Sequence, residues 1–182
     1  MAARANRTEY AILGLLAGGP ATGYDLRKLV QERLSHFWNE SLGHLYPILK
    51  RLNAKRWVTK RIRRATRHPA RHEYELTAEG RAALHAWFWE PAQPVPPRNE
   101  LLLKIFLGRM APPGALVNHI AAYRAQRDQD VRMLEGISKL LAAEASESPD
   151  YPFWSMTLRA GIVAARAAVT WCDETLPRVP NT

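Results

Sequence analysis

The most distinctive chemistry of this 182-residue sequence is a run of cations that begins at Lys50 and ends at Arg71. A solvated protein surface ordinarily mixes both signs of charge, so a block of one sign indicates a polyanionic partner or a disordered tail. Trp57, Val58 and Ile62 lie within the run at strand-like spacing, which argues against a tail. The expected partner is therefore nucleic acid, with an anionic membrane surface as the competing interpretation. The run contains no acidic residue and these ten basic ones: Lys50, Arg51, Lys55, Arg56, Lys60, Arg61, Arg63, Arg64, Arg67 and Arg71.

The positive charge is concentrated in the first half of the chain. The whole sequence carries 26 Lys and Arg against 17 Asp and Glu, a net charge of +9. Residues 1–90 hold 16 basic and 8 acidic side chains, whereas residues 91–182 hold 10 and 9. This change coincides with four prolines, which cannot continue a helix. We therefore predict one domain over 1–90, a proline-rich linker over 91–97 and a second domain over 98–182.

Several function classes lack the residues they need. A single cysteine, Cys172, excludes a disulfide framework and a multi-thiolate metal site. The six histidines do not form a metal-binding pair, and no glycine-rich phosphate loop is present. No apolar stretch approaches the roughly 20 residues of a membrane span, and the first residues do not resemble a signal peptide. We expect a cytoplasmic protein that is not an enzyme and that needs no metal or cofactor.

Four helices are expected in the first domain, and each follows a residue able to cap it. Thr8 is the expected N-cap of the first helix, Thr22 of the second, Ser41 of the third and Thr77 of the fourth. In the third helix, apolar residues recur at helical spacing and are expected to be buried. These residues are Leu42, Leu45, Ile48, Leu49 and Leu52.

A β-hairpin is expected between the third and fourth helices. Its strands are predicted over 58–64 and 71–76, joined by a turn over 65–70. Three short helices, a hairpin and a further helix are the order of a winged helix-turn-helix, so the expected fold is mainly α with a small β-hairpin wing (α+β). In such a fold the third helix enters the major groove of DNA, and the wing contacts the neighbouring backbone.

DNA contacts are expected from the start of the second helix, from the third helix and from the wing. Lys50 and Arg51 are expected to meet phosphates, because cations placed along a duplex release its counterions. Tyr46 is expected to contact phosphate or sugar. The full predicted set is Thr22, Tyr24, Asn39, Ser41, His44, Tyr46, Lys50, Arg51, Arg63, Arg64, Arg67, His68 and Arg71.

Three motifs carry a family resemblance. They are Gly-Tyr-Asp-Leu at 23–26, Leu-Tyr-Pro-Ile-Leu-Lys-Arg-Leu at 45–52 and Tyr-Glu-Leu-Thr-Ala-Glu-Gly at 74–80. With this separation they closely resemble the PadR family of bacterial transcriptional regulators, which implies operator binding by a winged helix-turn-helix. Two positions depart from the family pattern. Thr22 stands where many relatives carry His, and Arg56 replaces a glycine, so either Arg56 adopts a left-handed conformation or the turn is rebuilt.

The second domain is expected to be helical, with a short helix, a long helix to about residue 145 and a final helix to about residue 175. Apolar residues in the long helix follow a three-four alternation typical of a coiled-coil seam. The region resembles the C-terminal dimerisation region of virulence-activator-type PadR proteins, which implies a homodimer. The residues expected at the dimer interface are Leu116, Ile120, Tyr123, Leu134, Ile137, Leu141, Ile162 and Val169.

Trp38, Trp87 and Trp154 have two interpretations that the sequence leaves open. They wall a pocket for a small aromatic effector, or they serve only as core and interface residues. The function predicted for the whole chain is a homodimeric repressor that binds an inverted-repeat operator in double-stranded DNA. The alternative is a helical adaptor protein whose basic module binds nucleic acid without sequence preference.

Overall fold

The computed structural model describes residues 7–38, 45–65, 68–94 and 98–180, apart from the side chains of residues 63–65 and 68–71. The chain divides into two compact units, residues 1–94 and 95–182. The fold is mainly helical with a small antiparallel sheet, as the sequence predicts. Among the described residues, no helix combines the length and apolar character needed to cross a membrane.

The first unit packs its helices around one apolar core. Ile12, Leu26, Leu49 and Leu52 are completely buried there, and each comes from the apolar side of a helix. A short π-helical turn, Val30–Leu34, continues the second helix. The helices are α1 Arg7–Leu16, α2 Gly23–Leu29, α3 Leu45–Ala54 and α4 Ala78–Phe88.

Two of the predicted helix caps are confirmed and one is wrong. The Asp25 N–H donates to Thr22 Oγ1 at 3.2 Å, and the Thr22 N–H donates to the Asp25 carboxylate at 3.1 Å, which together form a capping box. Thr77 Oγ1 accepts a bond from the Gly80 N–H at 2.9 Å. Thr8 is not a cap, because α1 already includes Arg7 and the Thr8 side chain is buried within that helix. The predicted cap Ser41 lies outside the described residues.

A three-stranded antiparallel sheet forms the remainder of the first unit. Its strands are β1 Ala21–Thr22, β2 Val58–Ala65 and β3 His68–Leu76, in the order β1-β3-β2. The expected hairpin is present, but its turn is shorter than predicted, since His68 already pairs with Ala65. At this end β3 pairs only with β2 among the described strands, so Pro69 can lie in β3 without removing a second ladder of hydrogen bonds.

The second unit is built around a long helical hairpin. Leu134, Leu158 and Ile162 form its buried centre, with Leu141 packed beside them. Ion pairs Arg124–Asp173 and Arg166–Glu135 join the two long helices, and the first of these lowers the pKa of Asp173 through hydrogen bonding to the guanidinium. The helices are α5 Glu100–Phe106, α6 Ala115–Ala145 and α7 Tyr151–Thr175.

Candidate nucleic-acid interface

Helix α3 has one buried face and one face turned to solvent. Leu45, Ile48 and Leu49 pack into the core, and the 3.6-residue period of the helix turns Tyr46 and Lys50 outward. Tyr46 is 67% exposed although it is a large aromatic residue. An outward tyrosine and an outward lysine on one helix face suit contacts with a sugar–phosphate backbone.

A shallow open groove lies between the start of α2, the start of α3 and strand β3. Its volume is about 390 Å³. Tyr24, which is 68% exposed, and Tyr46 stand at its rim. A Cβ atom on Gly23 would come within 2.9 Å of the Tyr46 ring, so the glycine allows that ring to lie against α2. The groove is lined by Thr22, Gly23, Tyr24, Tyr46, His72 and Tyr74.

His72 and Tyr74 also line this groove, although they are not among the DNA contacts expected from the sequence. They are two residues apart on β3 and therefore project from the same face of the strand. Their proximity to Thr22 and Tyr24 becomes visible only once β1, which leads directly into α2, is known to pair with β3. Burial raises the pKa of Tyr74, and nearby Tyr46 raises it further, so the Tyr74 hydroxyl remains a proton donor at neutral pH.

The structure changes the interpretation of Thr22. Its side chain is buried, and its hydroxyl donates to the Asp25 carboxylate at 2.7 Å while accepting from the Asp25 N–H. Both hydrogen-bonding functions are thus used by the helix cap. Thr22 shapes the groove but is not placed as the DNA contact that was expected from the sequence.

Arg51, which the sequence predicts to contact phosphate, has an intramolecular partner in the structure. Its Nε donates to Glu9 Oε1 at 3.0 Å, and Lys55 Nζ donates to Glu9 Oε2 at 2.6 Å. Lys50 has no ion pair among the described residues. Of the two adjacent cations on α3, Lys50 is therefore the one without an ion pair among the described residues, whereas Arg51 is paired through Nε and its side chain remains 47% exposed.

The turn between α3 and β2 is closed by Arg56 in the left-handed conformation, with φ of 59°. The Trp57 N–H bonds to the Leu52 carbonyl and the Arg56 N–H to the Asn53 carbonyl, both at 3.0 Å, which is a Schellman motif. The sequence left two alternatives, a left-handed Arg56 or a rebuilt turn, and the structure has the left-handed Arg56. Thr77 Oγ1 stabilises this turn by donating to the Arg56 carbonyl at 2.7 Å.

The wing contributes further cations. Arg61 pairs with Glu75 across the hairpin at 3.1 Å, and Lys60 is exposed on the same strand. The predicted contacts Asn39, Ser41, His44 and Arg67 lie outside the described residues, as do the side chains of Arg63, Arg64, His68 and Arg71. Their roles remain predictions from the sequence.

The expected coiled-coil seam of the second unit is partly buried within one chain. Ile120, Leu134 and Ile162 are buried between elements of the unit itself, so they are not available to a second copy. The physical reason is that α6 and α7 form an antiparallel hairpin, with Leu134 and Ile162 in its buried centre. Of the other expected interface residues, Ile137 is exposed, and the following are half-buried: Leu116, Tyr123, Leu141 and Val169.

A different apolar surface remains uncovered in the second unit. On α7, Phe153, Met156 and Val163 are exposed and recur, together with Ala160 and Ala167, at the three-four spacing of a heptad. Helix α5 and the turn after it expose a second group, which consists of Leu102, Leu103, Phe106, Leu107 and Met110.

The three tryptophans of the predicted pocket have different environments. Trp87 stacks on Tyr10 in the first unit, with ring centroids 4.9 Å apart and planes 10° from parallel. Trp38, also in the first unit, has a buried Nε1 with no hydrogen-bond partner among the described residues. Trp154 is on α7 in the second unit. The stacking favours a core role for Trp87, whereas the indole N–H of Trp38 is a donor without an acceptor in the described part of the chain.

Comparison with known proteins assigns both halves of the chain to family models. Residues 12–86 match the transcriptional regulator PadR-like family, and residues 97–179 match the virulence activator alpha C-term. The negative transcriptional regulator PadR of Bacillus subtilis (strain 168) is 27% identical over 177 residues, which cover 94% of this chain and 96% of the relative.

Two solved structures of Bacillus subtilis PadR are similar over nearly the whole chain. The structure in complex with operator DNA has a TM-score of 0.83 and 26% identity, and the match covers 96% of this chain and all of the other. The structure in complex with p-coumaric acid has a TM-score of 0.77 and 28% identity, with 96% and 99% covered. The family consists of transcriptional regulators, in agreement with the expectation that the protein is not an enzyme. Helix α3 exposes a cation, a β-hairpin wing follows it, and family models match both halves of the chain. The chain therefore belongs to the PadR-like family of transcriptional regulators.

Proposed function

We propose that this protein is a homodimeric repressor that binds an inverted-repeat operator through α2, α3 and the β2–β3 wing. The observation that carries the proposal is the outward face of α3, which exposes Lys50 and Tyr46, with Tyr46 also lining the groove beside Tyr24. The opposite face of the same helix is packed into the core, so the outward face is held in a defined orientation. The crystallised complex of Bacillus subtilis PadR with operator DNA supports this assignment.

Within this proposal some side chains position α3 on the DNA backbone, and others read the base sequence. Lys50, Tyr46 and Tyr24 contact the backbone and set the register of α3 in the groove. Asn39, Ser41 and His44 precede the described part of α3 and read base edges or nearby phosphates. The wing cations Arg63, Arg64, Arg67, His68 and Arg71 contact the flanking backbone or minor groove.

The second unit, predicted as a domain over 98–182, supplies dimerisation. The exposed heptad stripe of α7 and the exposed apolar residues of α5 support this role, because contiguous apolar surface of this kind is typical of subunit interfaces. A two-fold dimer places its recognition helices about one helical turn, or a multiple of it, apart on the duplex. The operator is therefore an inverted repeat.

We further propose that a small aromatic acid modulates this activity. Trp38 supports the idea, because its buried indole N–H has no acceptor among the described residues and a ligand carboxylate can provide one. The complex of Bacillus subtilis PadR with p-coumaric acid gives the chemical class. Titration of the purified protein with such acids should quench tryptophan fluorescence, and Trp38→Phe should remove the response. An unchanged titration in Trp38→Phe would contradict this site.

Competition binding tests the main proposal against the nonspecific adaptor. A DNA fragment selected from a random pool should bind roughly a thousandfold or more tightly than random duplex, and its affinity should fall steeply with salt. Lys50→Ala should weaken binding to all sequences alike, because a phosphate contact carries no sequence information. Equal affinity for every sequence would exclude the operator and leave the adaptor.

A further inference from the structure

Glu9 is a nearly fully buried carboxylate in α1, with 2% of its surface exposed. An ionised side chain at this depth is stable only when it is paired and hydrogen-bonded. Both of its oxygens are used: Oε1 accepts from Arg51 Nε at 3.0 Å and Oε2 from Lys55 Nζ at 2.6 Å. The two partners are 42 and 46 residues away in the sequence.

Arg51 and Lys55 together hold the Glu9 carboxylate on one side of α3, and we call this three-residue arrangement the clamp. Arg51 and Lys55 are four residues apart, so they lie next to each other along the end of α3 and the turn that follows. Lys55 Nζ also lies 4.5 Å from the centre of the Trp57 ring, at the start of the wing. Trp57 in turn contacts Tyr10, which follows Glu9 in α1. One carboxylate thus connects α1, the end of α3 and the start of the wing.

We propose that Glu9 is a positioning residue for DNA recognition, which withdraws Arg51 and Lys55 from phosphate contact and uses them to orient α3. This inference rests on the proposed operator binding. Lys50, one position before Arg51, has no ion pair in the part of the chain that the structure describes and keeps its charge for DNA. The clamp therefore contributes to the preference for the operator over other sequences, and it reduces the purely electrostatic affinity that all sequences share.

The first experiment compares two neighbouring cations, Arg51→Gln and Lys50→Gln, on random duplex DNA. Log affinity falls linearly with log salt concentration, and each phosphate contact that is lost decreases the magnitude of this slope by about 0.9. Lys50→Gln should show this decrease, whereas Arg51→Gln should leave the slope unchanged. Arg51→Gln also keeps the pair between Glu9 and Lys55, so the buried carboxylate is not left alone. An equal decrease in both variants would overturn the proposal.

The second experiment removes the buried charge with Glu9→Gln, which keeps the size of the side chain. The ratio of operator to random-DNA affinity should fall at least tenfold, while random-DNA affinity stays the same or rises because two cations are released. A purely structural role would lower both affinities by one factor, and that result in folded protein would overturn the proposal. Glu32→Gln is the matched control, since Glu32 is exposed and pairs with Lys28 at 3.7 Å. It should leave the affinity ratio unchanged.

The two experiments also separate this proposal from the function on which it rests. If circular dichroism shows that Glu9→Gln does not fold, the comparison of Arg51→Gln with Lys50→Gln decides the question, because it needs neither an operator nor the Glu9 variant. If the unaltered protein binds every duplex equally, operator binding fails and the positioning role fails with it. The slope comparison then still reports whether the clamp keeps Arg51 away from phosphate.

Discussion

Gly80 lies in the first turn of α4, directly beneath the backbone of Trp57. A Cβ atom built on Gly80 would lie 2.0 Å from the Trp57 carbonyl oxygen and 2.9 Å from the Leu76 side chain. Neither the turn at Trp57 nor the end of β3 can move without disturbing the hairpin. The glycine of the Tyr-Glu-Leu-Thr-Ala-Glu-Gly motif is therefore required by packing between α4 and the start of the wing.

Gly80→Ala should lower the free energy of unfolding by about 2–3 kcal/mol, which is the upper part of the range for overpacking. Gly14→Ala is the matched control, because Gly14 is in α1 of the same unit and has open space around its Cβ position. That control should raise stability by up to about 1 kcal/mol through helix propensity. Urea denaturation followed by circular dichroism measures both, and equal effects would contradict the packing argument.

At Arg56, in contrast to Gly80, a glycine is expected to increase stability, because the backbone is left-handed there and the residue is not glycine. Arg56→Gly should raise the free energy of unfolding by about 0.5–1 kcal/mol, because glycine adopts this conformation without a Cβ clash. Arg56→Ala keeps the Cβ while removing the charge, so it should give no such gain. A similar gain in both variants would attribute the effect to charge and not to backbone strain.

At the scale of secondary-structure elements, the start of α2 and the start of α3 form one surface because Gly23 lets the Tyr46 ring approach. The capping box of Thr22 and Asp25 holds the start of α2 in place. Strand β3 supplies His72 and Tyr74 from below. The groove thus depends on the packing of two helices and a strand, and not on any one of them.

Gly23→Ala should displace the Tyr46 ring and lower operator affinity about tenfold. The ring is exposed and can rotate away, so the free energy of unfolding should change by less than about 0.5 kcal/mol. Electrophoretic mobility shifts and thermal denaturation measure the two quantities. Tyr46→Phe, which keeps the ring and removes the hydroxyl, shows whether the ring position or the hydroxyl matters. Unchanged affinity in Gly23→Ala would contradict a role for the groove in binding.

At the scale of the whole molecule, the two units differ in charge and in exposed apolar surface. The ten-cation run lies in the first unit, and the uncovered heptad stripe lies on α7 of the second. Self-association through a nearly neutral surface avoids the repulsion that two cationic surfaces would meet. This division of properties supports DNA binding by one unit and dimerisation by the other.

Val163→Glu should convert the proposed dimer to a monomer, because it places a charge within the exposed apolar stripe of α7. Sedimentation velocity at micromolar concentration measures the association state. Affinity for an inverted repeat should fall at least tenfold, whereas affinity for a single half-site should change little. Lys139→Glu, at an exposed polar position of α6, should leave the dimer intact. A Val163→Glu protein that remains a dimer would exclude this stripe from the interface.

Local patterns in the sequence determined much of this protein: the helix caps at Thr22 and Thr77, the hairpin, the outward position of Tyr46 and Lys50, and the concentration of charge. These features depend on residues a few positions apart, so spacing alone reveals them. Only the tertiary structure decided that Arg51 is held by Glu9, because that ion pair joins residues 42 positions apart.

The same limit applies to the second unit. Its apolar periodicity predicted a seam, but spacing does not say whether a seam meets its own chain or another copy. The antiparallel return of α7 onto α6 buries Leu134 and Ile162 within one chain and leaves the stripe of Val163 outside. The partner of an apolar face is set by chain topology, which is non-local, and not by the helical period that creates the face.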